Sequence, residues 1–296
     1  MKVLAFLKFS NIQNSVLFEI MGNIIKQKLK HGIFSFYDND KYVGKSLLEY
    51  GEWSESEVQL IMQIVPSNQI IIEIGSNIGT HTVPLAKYLS NGGQVYAFEP
   101  QSQNYKLLEE NIKDNGIENV KLSKIAISSK EGEAYMNTFD EGKLSNYGDA
   151  RIFRDKFQNS ERVQVKTLDN FYYDSCDNNN SVSLIKFDVQ GQELEVILGS
   201  EKIINRYKPF LYLENDDVEN SKFLIEKIKS LGYLMFWHLP ALFNPDNFLK
   251  NSKNIFSKII SCNMFCIHYS TKITLNEKWK KFQIKDSNFH PFRKKY

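Results

Sequence analysis

The chain has 296 residues, 42% of them hydrophobic and 24% charged, which excludes a disordered or fibrous protein and allows one large α/β domain with additions. A formal net charge of +2 excludes a global field for nucleic acid, so no DNA partner is expected. Cys176, Cys262 and Cys266 are too few for a disulfide framework, and no apolar run approaches the ~20 residues of a membrane span, so a cytoplasmic enzyme is expected.

Met1 to Phe9 carries an apolar stretch that Lys8 interrupts, too short for the core of a signal peptide. Val16 to Leu29 reads as an amphipathic helix ending at His31-Gly32, and residues 1 to about 41 as an extension packed on the core. Tyr42 to Val65 reads as a helical lead-in, so residues 1–65 form a predicted helical unit. Ile70 to Ile74 has the length of a buried strand. It stops at Gly75, in a tight turn that includes Asn77 and Gly79, and a helix is predicted over Ile78 to Leu89. After Asn91-Gly92-Gly93, a second strand, Gln94 to Phe98, ends at Glu99-Pro100. A β-α-β unit with a glycine turn and a carboxylate at the tip of its second strand reads as a nucleoside-cofactor site on an open parallel sheet.

The turn discriminates between cofactors. A dinucleotide fingerprint needs a glycine where Asn77 stands, because backbone must approach the pyrophosphate there. Glu73, just before the turn, would repel a diphosphate. Both residues suit S-adenosylmethionine, which has no phosphate and carries an ammonium and a sulfonium. Glu99 suits either cofactor, since its carboxylate can accept both ribose hydroxyls.

Val120 to Ile127 reads as a third strand, with Ala126 placed to touch an adenine. Glu133 to Phe139 and Arg162 to Thr167 alternate like an added hairpin around a polar loop, and Asp174 to Ser181 is an Asn-rich surface turn. Ser183 to Val189 is a strand with Asp188 near its tip, and Gln190-Gly191-Gln192-Glu193 opens the next helix. Phe210 to Leu213 ends at Glu214-Asn215; a helix, Val218 to Leu231, follows. Strand tips thus offer Glu73, Glu99, Asp188 and Glu214, one or two of which could merely cap a following helix. Tyr233 to Trp237 and Cys262 to Tyr269 are the sixth and seventh strands. Between them, 238–260 is long for a hairpin and holds Phe243 and Phe248; it reads as a substrate-side wall over the carboxyl edge of the sheet, within reach of Asp188. Trp237, Phe243 and Phe248 suggest stacking on an acceptor. Residues 271–296 hold eight Lys/Arg against Glu277 and Asp286, 8 − 2 = +6, and read first as a solvated basic end.

The chain also resembles a known family, the FkbM-type S-adenosylmethionine-dependent methyltransferases, from about Tyr42 to Ile267. The resemblance rests on Tyr50-Gly-Glu-Trp53, Glu73-Ile-Gly-Ser-Asn-Ile-Gly79, Ala97-Phe-Glu-Pro100, Asn111, Ala126-Ile-Ser128, Asn146-Tyr-Gly148, Thr167-Leu-Asp169 and Lys186-Phe-Asp-Val-Gln-Gly-Gln-Glu193. Glu73 departs from the more usual Asp and keeps its charge; Gln190 departs from the usual Glu and removes one. The resemblance implies a Rossmann-like class I methyltransferase fold: a mostly parallel seven-stranded sheet with an antiparallel last strand and helices on both faces. It makes 66–270 the methyltransferase domain, with the insertion 238–260. It implies S-adenosylmethionine as cofactor and O-methyl transfer to a hydroxyl of a small molecule, sugar or glycan. Glu73, Gly75, Asn77, Gly79, Glu99, Pro100 and Ala126 are the expected cofactor-binding residues. Asp188, His238 and Glu214 are the catalytic candidates, with His81 as a second imidazole matched to neutral pH. Asp188 and Glu214 are only two oxygen ligands, so no metal is assigned. The rival readings are an RNA methyltransferase that uses the basic tail and a cofactor-binding module without catalysis.

Overall fold

The computed structural model describes residues 19–140, 142–175 and 181–293. The apolar stretch Met1 to Phe9, the start of the helix expected from Val16, Cys176 with most of the Asn-rich turn, and the last two lysines lie outside them.

The first described elements depart from expectation. In place of a helix over Val16 to Leu29 there is a meander of three antiparallel strands, β1 (Glu19–Met21), β2 (Ile24–Leu29) and β3 (Gly32–Tyr37). Ile25, Gln27 and Leu29 are buried while Lys28 is exposed, a period of two, and the Ile24-Ile25 pair favours strand. Gly22 and Gly32 adopt positive φ in the two turns. A glycine at Gly22, inside the expected helix, was the available signal against it. The lead-in helices α1 (Val43–Tyr50) and α2 (Glu55–Ile64) then follow.

The β-α-β unit is β4 (Ile70–Ile74), α3 (Thr82–Tyr88) and β5 (Gln94–Phe98). After α4 (Ser102–Asp114), the third strand β6 ends early (Val120–Ser123). Its expected remainder is a separate strand, β7 (Ala126–Ile127), in a second sheet ordered β7-β10-β8-β9 with β8 (Gly132–Asn137), β9 (Ile152–Phe153) and β10 (Ser160–Lys166). Strands β8 and β10 make the expected hairpin, and β9 falls inside the stretch read as loop. The chain continues through α5 (Leu168–Ser175), β11 (Val182–Phe187), α6 (Glu193–Leu198), α7 (Glu201–Tyr207), β12 (Phe210–Glu214), α8 (Ser221–Ser230), β13 (Tyr233–His238), β14 (Asn263–His268) and α9 (Glu277–Lys280).

The main sheet runs β13-β14-β12-β11-β4-β5-β6, parallel except for β14, which is antiparallel to both neighbours. This is the Rossmann-like sheet expected from the sequence. Alternate residues of β4 bury Ile70, Ile72 and Ile74 in one helical layer and Ile71 in the other. Strand order reverses at β4, between β5 and β11, and the crevice outside these carboxyl ends is where such sheets bind ligands.

The basic tail is not a solvated arm. Trp279 packs on Phe236 and Phe265, and the Trp237 N–H donates to the Phe282 carbonyl at 2.9 Å while the Ile284 N–H donates to Met235 at 2.8 Å. The tail thereby occupies the free edge of β13, whose backbone groups would otherwise lack partners.

The N-terminal meander is fastened to the core by Asn111 of α4. Its Oδ1 accepts from the Ser35 N–H at 2.6 Å, and its Nδ2 donates to the Ser35 and Ile78 carbonyls at 3.1 and 2.8 Å. Asn111→Ala leaves three buried backbone groups unpaired. At about 1–3 kcal/mol each, relieved in part by water, the expected loss of unfolding free energy is roughly 2–4 kcal/mol. Urea denaturation checks this; a loss below ~1 kcal/mol would show that the clamp is not structural.

Candidate active site

Backbone contacts stitch the tips of β4, β5 and β11 together. The Gly75 and Ser76 N–H groups donate to the Phe98 carbonyl at 2.9 and 3.0 Å, and the Asp188 N–H donates to Ile74 at 2.9 Å. Gly75 has φ +86°, and a Cβ there would stand 1.9 Å from the Asp188 carbonyl oxygen. Only glycine lets the turn after β4 close against the exit of β11. Asn77 also has positive φ, 50°, and its side chain accepts from the Ile78 N–H.

A cleft of about 400 Å³ lies outside these tips. Of the sequence-derived candidates, Gly75, Asn77, Glu99, Pro100, Ala126, Asp188 and Glu214 line it, together with His81. Glu73, Gly79 and His238 do not, and each has a physical reason. Glu73 is 1% exposed and points beneath the turn, where it accepts from Thr82 Oγ1 at 2.6 Å and faces Lys186 Nζ at 4.0 Å. Gly79 is a packing glycine: a Cβ there would meet Leu108 of α4 at 2.7 Å. His238 sits on the far side of Tyr212, whose hydroxyl is 2.8 Å from its Nδ1.

Glu99 receives one N–H on each carboxylate oxygen, from Asn77 at 2.8 Å and Gln101 at 2.9 Å. Burial outweighs these donors and pushes its carboxyl up to about 8. Nearby Asn104 presents a buried Oδ1 without a hydrogen-bond partner among the described residues, and it lines the same cleft.

On the opposite side, Lys186 is 2% exposed and donates to Asp188 Oδ2 at 3.0 Å. Burial alone would lower its pKa, but the charges of Asp188, Glu73 and Glu57 raise it above the ordinary value. Burial would raise Asp188, and Lys186 more than reverses this, so Asp188 stays ionised below the usual carboxylate range. Glu214 is the reverse case: burial and the charge of Asp188 hold its carboxyl well above the usual range. Gln190 joins the two, its Nε2 lying 3.4 Å from Asp188 Oδ1 and 3.0 Å from Glu214 Oε2.

Several lining residues escaped the sequence reading. Glu57 of α2 faces His81 Nε2 at 3.4 Å and accepts from Asn263 Nδ2 at 3.0 Å. Asn263 Nδ2 also donates to the Tyr212 hydroxyl at 2.9 Å. A glutamate in a helix 18 positions before Gly75 carries no local signal of this role. From the insertion, Leu242, Ile259 and Ile260 line the cleft, and an antiparallel bridge joins Ala241 to Ile260. The aromatics expected to stack there are elsewhere. Trp237 is buried against His290, Phe243 packs on Tyr50, and neither lines this cleft.

The charge balance fits S-adenosylmethionine. Glu57 and Asp188 are both held below the usual carboxylate range, whereas burial pushes Glu73 up, so two ionised carboxylates share Lys186 and leave an excess of negative charge that a sulfonium and an ammonium would offset. A diphosphate would add to the excess. Glu99 and the unpaired Asn104 acceptor offer sites for hydroxyl donors. Among the described residues no group of three His, Cys, Asp or Glu is arranged to hold a metal ion, and no helix is long and apolar enough to cross a membrane.

A family model described as the methyltransferase FkbM domain matches residues 73–235, more than half of the chain. The hexuronic acid methyltransferase AglP of Haloferax volcanii is 25% identical over 142 residues, 48% of this chain and 54% of that protein. The methyltransferase sdnD of Sordaria araneosa is 28% identical over 163 residues, 47% of this chain and 62% of that protein. The match thus spans little more than half the length of these curated relatives. Among solved structures, methyltransferase FkbM from Methylobacillus flagellatus is 16% identical with a TM-score of 0.45, covering 67% of this chain and 44% of that one.

The raised Glu99 carboxyl has a stability consequence. In the unfolded chain it ionises near its ordinary 4.5, and in the unliganded fold only near 8. Its contribution is therefore fully present below the lower value and lost as pH rises through the upper one. Glu99→Gln cannot ionise, although its amide faces one N–H donor at a cost that does not vary with pH. The melting temperature of the variant minus that of the wild type should rise from pH 5 to 8 and then level off. A flat difference in thermal melts would mean that Glu99 is ionised throughout.

Proposed function

The chain belongs to the FkbM methyltransferase family, and from that premise we propose that it moves a methyl group from S-adenosylmethionine to a hydroxyl oxygen of a sugar or glycan. The observation that carries this reading is the meeting of Glu99 and Asp188 in one cleft, on either side of the Gly75 turn. When bound, the cofactor supplies a methyl group already activated as a sulfonium. Gly75 and Asn77 would form the turn beside it, Glu99 would accept its ribose hydroxyls, and Pro100 and Ala126 would flank its base. Glu73, its carboxyl raised by burial, acts from behind by holding Thr82 at the start of α3.

The chain's own task is to align the acceptor hydroxyl and take its proton. Alignment of reacting groups supplies up to ~7–11 kcal/mol in favourable cases. Asp188, held ionised by Lys186, accepts a hydrogen bond from the acceptor and then its proton. Glu214, with its raised carboxyl, shares the Gln190 amide and keeps a second negative charge from forming beside Asp188. His81, turned by Glu57, replaces His238 as the imidazole available to this cleft. A sugar acceptor is supported by the Haloferax volcanii relative, which is named for a hexuronic acid. The docking of the tail along β13 weighs against an RNA-binding arm.

Calorimetry with S-adenosylhomocysteine and with NAD tests the cofactor: heat for the first alone is expected, and heat for NAD alone would sink the reading. Asp188→Asn should leave S-adenosylhomocysteine affinity within about threefold and lower turnover on a glycan panel by roughly 10²–10⁴-fold. Turnover near wild type would move proton transfer to His81.

A further inference from the structure

A second cleft, of about 640 Å³, adjoins the first and takes no part in the roles assigned above. The two share Ser54 and Leu242 as walls. Ser54 holds a left-handed backbone with φ 45°, which a residue with a side chain adopts only at a cost, and it makes no side-chain cap for α2. Such strain is retained where the surroundings impose it, here at the partition between two cavities.

A hydrogen-bond relay crosses the same partition. Asn263 Nδ2 directs its two protons to Glu57 Oε1 and the Tyr212 oxygen. The Tyr212 oxygen thus accepts from Asn263, and the same hydroxyl lies 2.8 Å from His238 Nδ1. Burial lowers the pKa of His238, which favours the neutral ring. Tyr212 lines the first cleft and His238 the second. His238 therefore offers the second cleft a polar ring, joined through Tyr212 to the first.

The remaining walls combine two chemistries. Phe243, Trp279 and Phe282 supply ring surface, and Phe282 is 49% exposed. Glu52, Glu55, Asn244 and Asp246 supply acceptors. The charges nearly balance: Lys30 bridges Glu52 at 3.0 Å and Glu55 at 3.1 Å, and Lys278 and Asp246 both line the cleft. Counting Glu52, Glu55 and Asp246 against Lys30 and Lys278 gives −3 + 2 = −1. Neither a strongly cationic nor a strongly anionic ligand is called for. A ring with apolar C–H faces and hydroxyls around its edge meets both requirements at once.

We propose that the second cleft binds a sugar unit joined to the one that is methylated, so that the acceptor is an oligosaccharide of at least two units lying across both clefts. The proposal rests on the methyl-transfer reading. Binding of a remote unit would supply energy to hold the reacting unit in place. It also gives Phe243 and His238, expected at the reacting centre, a role one unit away from it.

The test uses the full chain saturated with S-adenosylhomocysteine on an array of defined oligosaccharides of two to six units and their monosaccharides. Phe282→Ala and Asp246→Ala alter exposed side chains of the second cleft, so the fold should persist, and S-adenosylhomocysteine affinity within twofold of wild type verifies it. At least one oligosaccharide should bind ten-fold or more tightly than its monosaccharides, and each variant should weaken it at least five-fold. The proposal is overturned if no oligosaccharide is preferred, or if both variants bind like the wild type. If the wild type fails to bind S-adenosylhomocysteine, the methyl-transfer reading falls, and this proposal with it.

Discussion

A lysine ammonium taken out of water loses several kcal/mol of hydration, and carboxylates must replace that water. Lys186 lies at the centre of the sheet, with Asp188 at 3.0 Å and Glu73 at 4.0 Å. Its position ties β11 to β4 and determines which acids remain charged. Asp188 is held ionised at the mouth of the cleft, and Glu73, its carboxyl raised by burial, is drawn inward beneath the turn. The helix that begins at Thr82 is anchored by the hydroxyl bonded to Glu73. A neutral side chain at this position would leave Glu73 and Asp188 without the cation they share.

Gln190 is intelligible in the same setting. Three carboxylates in a row, at 188, 190 and 214, would repel one another around one lysine. An amide donates to Asp188 and to Glu214 and removes the conflict. The departure from the family's usual glutamate thus replaces a charge by a donor. The turn that carries Gln190 at positive φ is closed by Glu193, which accepts from the Val189 and Gly191 N–H groups.

The long connection between β13 and β14 and the basic tail make one construction around the carboxyl edge. Glu52 holds the insertion by accepting from Asn244 Nδ2 and the Phe248 N–H, and Tyr50 packs on Phe243 and Phe256. The tail covers the β13 edge and brings Phe292 to the first cleft and Phe282 to the second. The walls of the two clefts are therefore drawn from segments far apart in the chain.

The apolar runs of β4, β5, β11 and β12, their acidic tips and the glycine turn were legible in the sequence, because strand length, glycine and charge act through near neighbours along the chain. The family followed from several such motifs in order. The N-terminal meander was misread because apolar residues at short spacing satisfy a helix as readily as strands, and Gly22 was given too little weight. Whether an acid at a strand tip faces the cleft, as Glu99 does, or the interior, as Glu73 does, depends on where Lys186 sits across the sheet. The placing of His238 behind Tyr212, and of Glu57 against His81, depends on packing between β12, β13, β14 and α2. These contacts join residues tens to hundreds of positions apart, and only the folded chain brings their charges within a few ångströms of one another.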